Sequence, residues 1–298
     1  MIANLLRRWT GGRETKSLTP ERRALFGAEH PELFSDEAAA ERRAIFDAAR
    51  ALPDGAPCDE RLLAAVRAEA HARRVATGTS EGPPLPHCTN LRIRHSGLPD
   101  WWHEGGNLAL AAPSSGPQEF EVGPMISVPR NGIAVFGDGV SFQTARLIGD
   151  NALLILGDQV KLAYSMIVIG TNTTVMIGEE SSATWMCSID ARNGGMVIIG
   201  PDAMFASGVW VITDDTHAIR DIATNKRINR YGGRIVVDRH VWACDQVRLT
   251  GDCTVGADSV IGAGSFVKNT ALPPQAVCVG RPARPVRTGI TWNRFDEP

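Results

Sequence analysis

The sequence predicts a mainly β chain: a parallel β-helix of hexapeptide repeats, preceded by an α-helical N-terminal region. Three observations predict it. Small or apolar residues recur at a fixed step of six, at Val237, Ala243, Leu249, Val255, Ile261 and Val267. Upstream, apolar–glycine pairs return at Ile148-Gly149, Leu156-Gly157, Ile169-Gly170, Ile177-Gly178 and Ile199-Gly200. Alternate pairs there lie 21 residues apart, from 148 to 169 and from 156 to 177. The first 80 residues show no such step and are rich in helix formers. An inward residue at every sixth position, with turn formers between, marks strands that stack coil on coil. Three hexapeptides close one triangular coil, and no coil buries its apolar face without a neighbour.

Composition sets the bounds. A length of 298 residues carries a soft expectation of roughly two domains. Hydrophobic residues at 43% and charged residues at 21% allow a real core and exclude a wholly disordered chain. A net charge of -2 excludes a strongly basic surface, so no nucleic-acid partner is expected. No uncharged apolar run approaches the roughly 18 residues of a membrane span. The start of the chain also lacks the long apolar core and cleavage site of a signal peptide. A cytoplasmic protein is therefore expected, with Ile2, Leu5, Leu6 and Trp9 available for peripheral contact with a membrane or partner. The six cysteines, Cys58, Cys88, Cys187, Cys244, Cys253 and Cys278, form no CxxC pair. That reads as small side chains in a reducing compartment, with no metal site.

In chain order, residues 1–86 form the helical region. Ser17 to Arg23 opens like a helix start, with Pro20 tolerated in the first turn. Two further helices follow, one from Ser35 and one from Asp59 with its apolar stripe Leu62, Leu63, Val66 and Ala70. Pro53, Asp54 and Gly55 separate them, and their many charges are expected to form solvated faces. Residues 87–130 read as an irregular or β linker capping the prism, with Trp101 and Trp102 as an aromatic plug. The β-helix is expected over 131–288, interrupted by a polar loop at 214–235, and 289–298 is a C-terminal tail.

Several segments carry a resemblance. Ile199 to Ile219 resembles a coil leading into a histidine loop. Asp238 to Cys244 is similar to the pattern D-x-x-V-W-I-G, and Val260 to Lys268 to V-I-G-A-G-S-V-V-x-K. Pro273 to Arg284 resembles a closing I-P-P … G-N-P-A-K segment. Over 131–292 the chain thus resembles the left-handed β-helix acyltransferases of the hexapeptide-repeat superfamily. Within them it is most similar to the branch of polysaccharide and lipopolysaccharide sugar O-acetyltransferases. It departs at Ala243 and Cys244, where the pattern has I-G, and at Arg281 and Arg284, where it has N and K.

The resemblance implies acetyl transfer from acetyl-CoA to a sugar hydroxyl by direct attack, and the lack of a ligand cluster in the sequence predicts no metal requirement. It also implies a homotrimer with each site between two subunits. A hydroxyl nucleophile needs a base, and imidazole suits that task. His217 is the expected base, standing where the repeat is interrupted. His240 is the rival, at position four of its hexapeptide, and the other five histidines lie outside the repeat. Asp215 is expected to orient the imidazole, as in triad logic, and Trp242 to wall the donor–acceptor site. For the donor, the small residues Ala243, Gly262, Ala263 and Ser265 suit a pantetheine arm, and Lys268, Arg281 and Arg284 suit its phosphates. Asp214, Arg220 and Arg230 are expected to meet the acceptor. Arginines crowd the loop, which favours an acceptor bearing carboxylate or phosphate. Two other readings fit the same layout: a serine-O-acetyltransferase-like enzyme, and a noncatalytic trimeric β-helix scaffold.

Overall fold

The computed structural model describes residues 37–78, 82–115, 119–122 and 128–295. The helix expected from Ser17, and the apolar residues of the first nine positions, lie outside them. Short strands form three parallel ladders, and each circuit of the chain visits all three. Face one stacks Leu108–Ala111, Ile133–Phe136, Leu153–Leu156, Thr174–Ile177, Met196–Ile199 and Arg234–Val237. The ends of Arg248–Val255 and Phe266–Leu272 continue it. Face two includes Ser182–Ala183, Met204–Phe205, Trp242–Ala243 and Val260–Ile261. Face three includes Glu119–Val122, Ser188–Ala191, Trp210–Ile212 and the starts of Arg248–Val255 and Phe266–Leu272.

The step of six is the geometry of this prism. Val237 and Val255 lie on face one, Ala243 and Ile261 on face two, Leu249 and Val267 on face three. All six are 0% exposed. Of the upstream pairs, Leu156, Ile177 and Ile199 stack in register on face one. On face three the inward residue is Leu147, paired with Ile169, so the glycine pair at 148 sits one residue past the core position. Each turn from face three to face one passes through a left-handed residue: Asn131, Asn151, Asn172 and Asn193, then Gly232, Gly251 and Asn269. Asparagine and glycine tolerate that backbone best, which explains this column.

The prism begins before residue 131. Leu108–Ala111 already pairs with Ile133–Phe136, so part of the expected linker is the first coil. Its run of four apolar residues ends in Ala112-Pro113, without the apolar–glycine pair that marks the later coils. A short helix, Asp100–Glu104, seats Trp102 in this end, 1% exposed, with its ring 4.5 Å from Phe120. This is the aromatic plug.

Helices α1 (Glu37–Arg50) and α2 (Glu60–Ala76) lie outside face one. Phe46, Leu62, Val66 and Ala70 pack there with Leu110, Val135, Ile155, Met176 and Ile198. Face-one strands are therefore buried on both sides and read as continuous apolar runs. The expected solvated charges need correcting. Arg42, Glu69, Arg73 and Arg74 are all buried. Glu69 accepts from Arg42 Nε at 2.9 Å and from Arg73 Nε at 2.7 Å. Arg73 Nη1 also donates to Asn151 O (2.8 Å) and Thr173 O (3.2 Å), so the ion network bolts α2 to the prism.

Asp59 caps α2, its side chain accepting from the Leu62 amide at 2.8 Å. Asp59→Ala is expected to cost about 1 kcal/mol, the usual loss of an N-cap, read as a lower urea midpoint. An unchanged midpoint would contradict that capping role.

The far end closes with Ala276–Gly280 turning back through Ala283–Thr288 as an antiparallel pair. Residues 289–295 are not a free tail. The Trp292 ring stacks on His240 at 4.3 Å, and Arg294 Nε bonds Asp202 Oδ1 at 2.6 Å. Among the described residues no helix is long and apolar enough to cross a membrane.

Candidate active site

The polar loop leaves the prism after Trp210–Ile212 and returns at Arg234–Val237. It breaks out at the asparagine corner, between Asn193 below and Gly251 above. Asp214 staples its two roots. Oδ1 accepts from the Thr216 amide (2.7 Å), and Oδ2 from the Asn193 side chain and the Gly232 amide. Asp214 was expected to meet the acceptor; it is instead 7% exposed, with both oxygens engaged inside the protein. Gly232 has φ +48, and a Cβ there would come within 2.5 Å of Asn193 O, so the return of the loop requires glycine.

His217 is exposed on this loop. Its amide donates to Asp215 O (2.7 Å), and Asn229 Nδ2 donates to its carbonyl (2.8 Å). Nδ1 lies 2.9 Å from Thr216 Oγ1. Asp215 was expected to orient this ring, and here the structure differs. Its carboxylate meets Lys268 Nζ at 3.5 Å and Asn229 Nδ2 at 3.3 Å, while Thr216 holds the imidazole. Thr216, at φ +61, turns the chain between the two residues, so closeness in sequence did not deliver a carboxylate–imidazole bond.

A cavity of about 400 Å³ opens beside the loop, lined by Asp215, Asn229, Arg230, Thr250, Asp252 and Lys268 among others. The arginine crowd is largely engaged. Arg220 donates to Asn225 O, Arg227 lies over the Tyr231 ring at 3.8 Å, and Arg230 pairs with Asp252. Arg234 is turned to the end of α2, donating to Gly78 O at 2.8 Å. Of these four, only Arg230 meets a carboxylate; the carbonyl and ring contacts fix the direction of the others and leave their charge in place.

The expected donor residues divide. Gly262 and Ala263 lie at the corner between faces two and three, and Arg281 Nε donates to Gly264 O there at 2.7 Å. Arg284 is exposed on the returning strand. Ala243 is 0% exposed, with its side chain in the core, so it cannot line a groove with its methyl group. Ser265 is buried, and its hydroxyl accepts from the Gly280 amide at 3.1 Å. Lys268 belongs to the loop cavity instead. Trp242 is half-buried on face two, with its ring 5.9 Å from Trp292. The loop stands at the corner of faces three and one, so one chain does not bring Trp242 and the Gly262 corner to His217.

No protein-family model matches the chain. It is 35% identical over 143 residues to a polysialic acid O-acetyltransferase of Escherichia coli O1:K1 / APEC, covering 48% of this chain and 43% of that protein. It is 26% identical over 180 residues to a polysialic acid O-acetyltransferase of Neisseria meningitidis, covering 51% of this chain and 83% of that one. Among solved structures it matches the polySia-specific acetyltransferase NeuO with TM-score 0.58 and 26% identity, over 64% of this chain and 80% of that chain. The fold is the left-handed hexapeptide-repeat β-helix. The chain resembles the acetyltransferases built on it. It spans less than half the length of the Escherichia coli relative.

His240 is set apart by its contacts. It occupies a left-handed corner position, bonds Asp202 through Nδ1 (2.5 Å) and Trp292 O through Nε2 (2.9 Å), and so anchors the end of the chain. Burial raises all six cysteine thiols, those of Cys88 and Cys253 to about 12, so none is poised as a nucleophile. Sequence reasoning missed Thr216, Asn229 and Asp252. The asparagine column was the available signal, since the loop emerges where that column is interrupted.

Proposed function

We propose that this chain is an acetyl-CoA-dependent O-acetyltransferase acting on a sugar hydroxyl of a bacterial surface polysaccharide, lipopolysaccharide or precursor. The observation that carries the reading is the His217 loop, stapled at both roots to the prism, with an exposed imidazole and with its Asp215 and Asn229 lining a cavity. Similarity to polysialic acid O-acetyltransferases supports the choice of reaction and acceptor class.

In this reading Nδ1–H of His217 donates to Thr216 Oγ1, which leaves the Nε2 lone pair for the acceptor. Nε2 takes the hydroxyl proton as the oxygen attacks the acetyl carbonyl. Backbone N–H groups stabilise the oxyanion. The C–S bond then breaks, and the departing thiolate takes from the imidazolium the proton that the hydroxyl gave up, leaving free CoA and the neutral imidazole. Gly262 and Ala263 offer a smooth corner for the pantetheine arm, with Arg281 and Arg284 near its phosphates. Trp242 and this corner stand away from His217 within one chain. A homotrimer that sets the donor corner of one subunit against the loop of the next unites them. No metal takes part.

Two measurements test the reading. Saturable acetyl-CoA binding is expected, whereas a noncatalytic scaffold shows none. In an acceptor panel scored by CoA release, sugars of surface glycans are expected to turn over and free serine is not. Turnover on serine alone would replace this reading with a serine acetyltransferase.

A further inference from the structure

The returning root of the His217 loop touches two separate layers of the protein. Asp252, on the next coil of the prism, accepts from the Arg234 backbone amide through Oδ1 at 2.8 Å. Its other oxygen pairs with Arg230 inside the loop. Asp252 is itself held, its amide donating to Asn269 Oδ1 at 3.1 Å. The Arg234 side chain runs the opposite way, and Nη1 donates to Thr77 O (3.1 Å) and Gly78 O (2.8 Å), just past the end of α2. Carbonyls there lack helical partners and carry partial negative charge, which favours a guanidinium. Thr77 is also tied to the prism, its hydroxyl meeting Met196 Sδ at 3.1 Å.

We propose that Asp252 and Arg234 are positioning residues: a clamp through which helix α2 and the prism together hold the loop that carries His217. The proposal rests on the acetyl-transfer reading above and assigns the helical layer a share in it. The exposed Arg230–Asp252 pair alone carries little energy. The weight falls on the amide-to-carboxylate bond and on the guanidinium at the helix end. The clamp is also the wall between two cavities. The 400 Å³ cavity lies on the loop side, and one of about 250 Å³ is lined by Ala76 and Thr77 of the helical layer. Both share Arg230 and Asp252. Moving the clamp therefore reshapes the cavity that the loop lines through Asp215 and Asn229, away from the Gly262 corner.

The test compares full-length Arg234→Ala, Arg234→Lys, Asp252→Asn and the control Arg146→Ala, whose arginine pairs with Glu121 far down the prism. Hydrogen exchange and steady-state kinetics are read on each. In Arg234→Ala, faster exchange is expected both in 214–233 and in the last turn of α2, with the strand ladders unchanged. Its kcat is expected to fall at least tenfold while the acetyl-CoA KM stays within twofold, and Arg234→Lys to recover part of the loss. Asp252→Asn keeps its shape but replaces the charged acceptor of the Arg234 amide with a weaker neutral one and removes the partner of Arg230. It is expected to loosen the loop alone, and Arg146→Ala to change neither readout. Unchanged loop exchange in both clamp variants overturns the proposal, as does a kcat equal to that of the parent. Absence of turnover in the parent on every acceptor would sink the acetyl-transfer reading instead. The paired exchange response would then decide the clamp by itself.

Discussion

Replacing His217 by alanine is expected to lower turnover roughly 10²- to 10⁴-fold, the usual span for one acid–base group. Acetyl-CoA affinity should stay close to that of the parent, since in this reading the Gly262 corner, Arg281 and Arg284 hold the arm and phosphates and the imidazole meets only the acceptor hydroxyl. His217→Asn should be nearly as poor, because an amide can bond Thr216 but cannot take the hydroxyl proton. His240→Ala provides the contrast. Its ring is engaged by Asp202 and Trp292, so the expected loss is in anchoring the chain end, with turnover largely retained. Steady-state CoA release with titration of acetyl-CoA binding checks all three. Near-normal turnover in His217→Ala overturns the mechanism whatever else holds.

Glu69→Ala is expected to destabilise the protein by about 3–5 kcal/mol, because it leaves two buried guanidiniums without their carboxylate. Burial alone would raise the Glu69 carboxyl, but Arg73 and Arg42 outweigh it and hold the group below its ordinary value. A depressed carboxylate stabilises the fold at pH values above the unfolded value, about 4.3. That contribution fades as pH falls through the lower folded value. The parent should therefore lose stability in acid below about pH 4, and Glu69→Ala should show a shallower acid dependence. Urea unfolding at neutral and acid pH reads both effects. A loss under about 1 kcal/mol at neutral pH would mean that the network does not bolt the helices to face one.

The sequence alone determined the prism and the place of its main interruption. A six-residue step is a local property: one hexapeptide makes one face, so Val237 through Val267 announce the interior without reference to any distant residue. The same locality exposed the His217 loop as the stretch where the step fails, and Trp102 as a plug where the repeat begins. Local patterning could not show that Glu69 and Arg73 are buried, because an outward helix face and one pressed on a second layer share one charge pattern. Nor could it show that Asp214 closes the loop, that Lys268 faces Asp215 while Arg281 stays at the opposite corner, or that Trp292 returns to His240. Arg234 and Thr77 are 157 positions apart, and they meet only because the helical layer lies along face one and ends beside the root of the loop. Hydrogen bonds and ion pairs act over a few ångströms of space, and chain order does not encode that proximity until the coils have stacked.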